Sequence, residues 1–276
     1  MFLVTGANGQ LGNELRLLLD EKTALFTDYT DLDITDEKQV HSFFANHTID
    51  LIVNCAAYTA VDKAESDEEK AYEINALGPL NLAQTGVPVI HVSTDYVFDG
   101  SSVVPYHEND VPNPQTVYGR TKLAGEKNLF ENADTALVIR TAWLYSSFGN
   151  NFVKTMMRLG KERDELNVVF DQVGTPTYAR DLAQAIVQIM PQIKPNMKEI
   201  YHFSDEGVCS WYDFAVKIME KANLACKVKP IESKDYPTPA MRPHYSVLNK
   251  AKIKKDFGIE INHWEKSLDA CCAKLL

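Results

Sequence analysis

Phe2-Leu3-Val4-Thr5-Gly6-Ala7-Asn8-Gly9-Gln10-Leu11-Gly12 opens the chain, a short apolar run followed by three glycines at three-residue spacing. Leu15, Leu18 and Leu19 then recur at helical spacing. Strand, glycine turn and helix in that order form the context a dinucleotide fingerprint requires. One glycine allows the tight turn, one lets the backbone approach a pyrophosphate, and one lets helix pack on strand. The G-x-x-G-x-x-G spacing is one residue longer than the commonest form, so a plain glycine-rich loop stands as the alternative. Further apolar runs at 24–27, 50–53, 87–92 and 135–141 alternate with helix-like segments. That alternation predicts an α/β fold, a Rossmann-type doubly wound parallel sheet.

Open α/β sheets bind ligands at the carboxyl ends of their strands, which selects the candidate residues. Asp28 ends the second run, within the expected ~20 residues of the glycines. Its carboxylate would accept from the adenosine ribose hydroxyls and disfavour a 2′-phosphate, pointing to NAD(H). Asp31, Asp33 and Asp36 crowd the same loop, so a turn or cap role is the alternative, and Asp36 is the expected cap of a helix to about Asn46. The third run ends in the small residues Asn54-Cys55-Ala56-Ala57-Tyr58, which would admit a cofactor backbone closely. The fourth leaves Thr94 and Asp95 at its end.

A helix from about Gln115 would carry Tyr118 and Lys122 one turn apart on one face. A cation beside a phenol favours the phenolate and lowers the Tyr pKa from its reference of about 10. Alone, such a pair is most often a solvated helix face. The loop 98–114, with Gly100 and three prolines, is expected to lie over the site. The charged run 62–70 reads as a solvated helix start, with Gly78-Pro79 a kink or restart.

After Asn150-Asn151 the texture changes. Helices are expected at 152–161, 180–190 and 211–222, with strands at 168–169 and 199–203. Residues 230–243 are too proline-rich for regular structure, and long ordered loops of this kind are commonly functional. Residues 1–150 are expected to form the NAD(P)-binding domain, with some later segments returning to it. Residues 151–276 would mainly form a substrate-binding lobe facing it across a cleft.

Among the 276 residues, 45% are hydrophobic and 24% charged, ample for a globular core. A net charge of -10 argues against nucleic-acid or anionic-membrane partners. No run reaches the length of a membrane-spanning helix, and the N-terminus has no signal-peptide pattern. The cysteines, 5 in number, show no C-x-x-C spacing, which points to a reducing cytoplasm without disulfides or zinc.

The glycine motif, the threonine after the fourth strand and Tyr118-x-x-x-Lys122 together resemble the extended short-chain dehydrogenase/reductase superfamily. The segments 54–65 (NCAAYTAVDKAE), 92–100 (VSTDYVFDG), 118–126 (YGRTKLAGE), 140–143, 149–152 and 236–243 resemble the dTDP-4-dehydrorhamnose reductase family, over nearly the whole chain. The resemblance implies NADPH- or NADH-dependent reduction of the C4 ketone of dTDP-4-dehydro-L-rhamnose, the last step of a nucleotide-sugar route. It implies Tyr118 as general acid, Lys122 as its pKa and ribose partner, and Thr94 as the hydroxyl that orients the ketone. Gln10, Leu11, Asp33, Ile34 and Ala56 to Tyr58 would line the cofactor. Asp95 and Trp143 would line the substrate pocket, and Asn150-Asn151 and Arg242 would meet the thymidine diphosphate, although a loop arginine is as often an ion-pair partner.

Some family members form dimers bridged by Mg²⁺ through glutamates. Glu14 and Glu265 stand at two such positions, but Arg180 stands where a third glutamate would, so no metal is expected and monomer or homodimer stays open. The same superfamily contains nucleotide-sugar epimerases and dehydratases that recycle tightly held NAD⁺. It also contains a non-catalytic regulatory subunit of methionine adenosyltransferase, whose type would show a broken Thr-Tyr-Lys set.

Overall fold

The computed structural model describes residues 1–276. Its centre is a sheet of β1 (Phe2–Thr5), β2 (Ala24–Thr27), β3 (Leu51–Asn54), β4 (Val89–Thr94), β5 (Ala136–Thr141) and β6 (Lys198–His202). All neighbours are parallel, in the order β6-β5-β4-β3-β1-β2. The chain winds outward from β1 to β2, then returns to place β3 on the other side of β1. That reversal opens a crevice beyond the carboxyl ends of β1 and β3, the switch point where such sheets bind ligands. Every residue of β3 and β5 is buried, as expected of strands covered on both faces.

The helices that cover the sheet follow from their apolar stripes. On one face α1 (Gln10–Arg16) packs its Leu11 and Leu15 with Leu182 and Ile186, and with Ile253 of the short helix Ala251–Phe257. On the other, Val40 of α2 (Glu37–Asn46) and Leu129 of α3 (Val117–Asn132) meet Leu3, Ile52 and Leu82. The other long helices are α4 (Phe152–Glu162), α5 (Ala179–Ile189), which carries Leu182 and Ile186, α6 (Trp211–Lys221) and α7 (Trp264–Leu275). Together α4, α6 and α7 enclose a second core around Val153, Met156, Phe214, Ile218 and Leu268. Strand β6 and helix α5 come from beyond residue 150 yet belong to the central sheet and its cover.

Three expectations need correction. Residues 98–114 form a buttress rather than a cover: Phe98 stacks on Tyr106 at 4.2 Å, Tyr106 bridges to Leu248, and none of the loop lines the cleft. The proline-rich segment begins as a strand, because Lys227–Ile231 pairs with Glu165–Val169 in a two-stranded sheet where Pro230 sits on an edge and tolerates its missing N–H. The charged run 62–70 is two short helices, Val61–Ala64 and Glu68–Tyr72. These pass through a π-helical turn, Glu73–Leu77, before the helix restarts at Gly78-Pro79 with proline in its first turn.

Candidate active site

The crevice is a cleft of about 780 Å³, in the usual size range of cofactor sites. The glycine loop forms one wall. Gly6 has φ +63°, and a Cβ there would lie 2.6 Å from the Ala56 nitrogen. A Cβ on Gly12 would come within 2.5 Å of the Ala7 Cα, so this glycine lets α1 close onto the turn that follows β1. A Cβ on Gly9 would meet only the Gly6 carbonyl, at 3.2 Å. The first and third glycines are thus used up by packing, and the second leaves room beside exposed backbone, the division of labour a dinucleotide fold requires.

Gln10, Leu11, Asp28, Asp33, Ile34, Ala56 and Ala57 all line the same cleft. Asp28 accepts from the Asn8 N–H at 2.9 Å with one oxygen and from the Tyr29 N–H at 2.8 Å with the other. It therefore acts as a turn residue and still presents its carboxylate to the cleft. Asp33 accepts from the Thr35 N–H and hydroxyl at 2.9 and 2.7 Å. Lys70, read from sequence as part of a solvated helix, also lines this end. Only the fold brings it there, and no local pattern announces it. Tyr58 is a correction. It does not line the cleft, and its hydroxyl donates to Asp67 at 2.9 Å while its backbone is held by Asn75.

The opposite wall carries Thr94, Asp95, Tyr118 and Lys122. Thr116 starts α3 by accepting from the Gly119 N–H at 3.0 Å, one residue later than the sequence suggested. Tyr118 and Lys122 then face inward, one turn apart. Thr94 caps the turn Asp95–Val97: its hydroxyl accepts from the Tyr96 N–H at 3.2 Å and donates to Asp95 at 3.0 Å. Asp95 is buried and its second oxygen has no protein partner. Burial raises its pKa to about 6, against the nearby Ser246 and Thr94 hydroxyls, which favour the charge.

The electrostatics differ from the sequence reading. Lys122 is 1% exposed, donates to the Val92 carbonyl at 2.7 Å and meets His91 Nε2 at 3.2 Å. Burial pulls its pKa down to about 8, opposed by Glu126 and Cys55. Burial likewise drives Tyr118 up to about 12; the nearby Thr94 hydroxyl opposes this and Asp95 adds to it. Desolvation thus outweighs any pull of Lys122 on the phenol, which is held protonated rather than pushed toward phenolate. Beneath both, Arg140 makes a bidentate pair with Glu126 at 3.0 and 2.7 Å, with both residues buried.

Trp143 lines the cleft in a left-handed conformation, φ +50°, its ring stacked on Trp211 at 3.6 Å and 8°. Asn150 and Asn151 line it too. Asn151 caps α4 by accepting from the Lys154 N–H, and its amide donates to Gln10 at 3.0 Å and to the Ser146 carbonyl at 2.6 Å. Arg242 is the second correction. It is absent from the cleft lining and clamps Asp62 through two nitrogens at 3.0 and 2.6 Å. Glu14 and Glu265 are apart in function: buried Glu14 accepts from Ser146 and has Arg180 and Lys274 at 3.7 and 3.9 Å, whereas Glu265 pairs with Lys217.

Comparison with known proteins converges on one family. The family model described as RmlD substrate binding domain matches residues 1–276. A dTDP-4-dehydrorhamnose reductase of Aggregatibacter actinomycetemcomitans is 42% identical, with 96% of each chain covered. A crystal structure of a dTDP-4-dehydrorhamnose reductase from Clostridium acetobutylicum superposes with TM-score 0.95 at 44% identity, covering 99% of both chains. One from Bacillus anthracis, in complex with NADP, superposes at 0.94 with 39% identity, covering 99% of this chain and 98% of that one. With likeness of this order along the full length, the chain belongs to the dTDP-4-dehydrorhamnose reductase family of oxidoreductases.

Proposed function

We propose that the protein reduces the C4 ketone of dTDP-4-dehydro-L-rhamnose to dTDP-L-rhamnose with NADPH or NADH, as the last step of dTDP-rhamnose supply. The observation that carries this reading is the convergence of Thr94, Tyr118 and Lys122 on a cleft whose other wall is the glycine loop. Bound reduced nicotinamide supplies the hydride to C4. Tyr118 donates its hydroxyl proton to the oxygen as negative charge develops there, and its raised pKa keeps that proton in place at neutral pH. Thr94 turns its hydroxyl from Asp95 to the ketone oxygen and orients it. A hydrogen of Lys122 not given to Val92 would reach the nicotinamide ribose hydroxyls.

The adenosine end is held by Asp28, Asp33 and Ile34, and the sugar nucleotide by Asp95, Trp143 and Asn151. Arg242 joins them only if a diphosphate displaces Asp62. The protein works in the cytoplasm, as a monomer or homodimer, and without a metal. The Arg180 guanidinium 3.7 Å from the Glu14 carboxylate supports the last point, because it already offsets the charge a Mg²⁺ would need there. Sedimentation is expected to be the same with and without Mg²⁺, and a Mg²⁺-dependent dimer would overturn it.

The decisive assay follows the loss of NADH or NADPH absorbance on adding dTDP-4-dehydro-L-rhamnose, with product identified by NMR. Wild type should oxidise the cofactor, and Tyr118→Phe should lose about 10² to 10⁴ in turnover while binding cofactor normally. No oxidation by wild type, with cofactor bound, would refute the reductase.

A further inference from the structure

Behind Lys122 runs a closed line of buried polar side chains, Thr5, Asn54 and His91, each 0 to 1% exposed. The Asn54 carbonyl oxygen accepts from the Ala56 N–H at 3.1 Å and from the Thr5 hydroxyl at 2.7 Å. A backbone N–H is always a donor, so this contact sets which way the Asn54 amide points. Its NH₂ then faces His91 Nδ1 at 3.0 Å and must donate to it. A neutral imidazole whose Nδ1 accepts carries its only hydrogen on Nε2, and Nε2 faces the Lys122 amine at 3.2 Å. A second proton on the ring is unfavourable, because burial holds His91 well below its ordinary pKa.

We propose that His91, with its tautomer fixed by Asn54, sets the ionisation of Lys122: it presents an N–H to the Lys122 nitrogen and so disfavours the ammonium form. An uncharged amine satisfies every contact around that nitrogen. Its lone pair accepts from His91, one hydrogen goes to the Val92 carbonyl at 2.7 Å, and the other points to the cleft. The ammonium would set hydrogen against hydrogen at His91, unless Asn54 turned over and opposed its NH₂ to the Ala56 N–H. The other ionisable groups facing Lys122 are Glu126, one turn along α3, and Cys55, after β3, and both favour the cation. With Tyr118 one turn back uncharged, burial accounts for the downward displacement to about 8, and in this proposal the His91 N–H acts in the same direction. His91 is thus a positioning residue. This deepens, and rests on, the role given to Lys122 in the proposed reduction: a lysine close to neutrality leaves Tyr118 its proton until the ketone oxygen needs it.

The first test is ¹⁵N NMR of the ligand-free protein labelled at its histidine rings, with the His91 signals identified by their loss in His91→Gln. The expected spectrum has a bare Nδ1 and a protonated Nε2, unchanged through neutral pH, and a protonated Nδ1 would overturn the proposal. Asn54→Asp is the second test. A carboxylate takes the Ala56 and Thr5 hydrogens on one oxygen and the imidazole Nδ1–H on the other, which reverses the tautomer. The limb of the kcat/KM pH profile that reports Lys122 should then move up by about one pH unit or more. In His91→Gln it should move the same way without added charge, since the amide carbonyl can face the ammonium. A limb that stays in place in both folded variants would refute the assignment. Failure of the reductase assay would leave the tautomer result standing, so the two readings fail separately.

Discussion

Desolvation moves Tyr118 and Lys122, on the wall opposite the glycine loop, in opposite directions, up to about 12 and down to about 8. For Lys122 the consequence for stability has a definite sign. Between its folded value and its ordinary value of 10.5 the unfolded chain holds a proton that the folded chain lacks, so stability rises with pH across that window. Below about 8 the full cost of burying the cation is present. Lys122→Met removes it, and the wild type should gain on the variant by on the order of 3 kcal/mol between pH 8 and 10.5. Urea melts at the two ends of the window check this, and a flat difference would show that Lys122 titrates normally. The pairing of Tyr118 with Lys122 was legible in the sequence because i,i+4 spacing on a helix is local. The sign of the Tyr118 shift was not, since burial is a property of the packed wall.

Among the elements, α3 and the π-helical turn Glu73–Leu77 hold together the cleft wall that carries Tyr118 and Lys122. Asn75, buried in that turn, donates to Thr121 of α3 at 3.1 Å and holds the Tyr58 backbone beyond β3. The two elements touch at Gly125, where a Cβ would lie 2.0 Å from the Asn75 carbonyl oxygen. Gly125→Ala should therefore destabilise by about 1 to 3 kcal/mol through overpacking, despite alanine's better helix propensity. Thermal melts and the rate at saturating substrate should fall together, and a more stable variant would show that the contact yields. The strands of the central sheet and the helices α1 to α6 were readable to within a few residues, because their apolar periods are continuous, whereas Ala251–Phe257 and α7 were not read. Pro230 misled for the opposite reason: an edge strand shows no sequence mark to distinguish it from a loop.

At the scale of the molecule, Arg242 and Asp62 join the proline-rich segment to the helix start beside the cleft. Both are partly exposed, so the pair contributes at most about 1 kcal/mol to stability. Arg242→Gln should leave the melting temperature nearly unchanged. It should raise KM for the sugar nucleotide if the guanidinium exchanges Asp62 for a diphosphate, and an unchanged KM would leave Arg242 a structural clamp. The order β6-β5-β4-β3-β1-β2 sets the glycine loop against Ala56 and Ala57, residues about 50 positions apart in the chain. By itself the sequence determined the α/β alternation, the glycine turn, the Tyr118–Lys122 pair and the family, because each is written in local spacing or in motifs. The tertiary structure alone decided that Lys70 faces the cleft, that Tyr58 and Arg242 have other partners, and that His91 stands behind Lys122. Those outcomes depend on burial and on contacts between distant strands, and no local pattern of residues carries them.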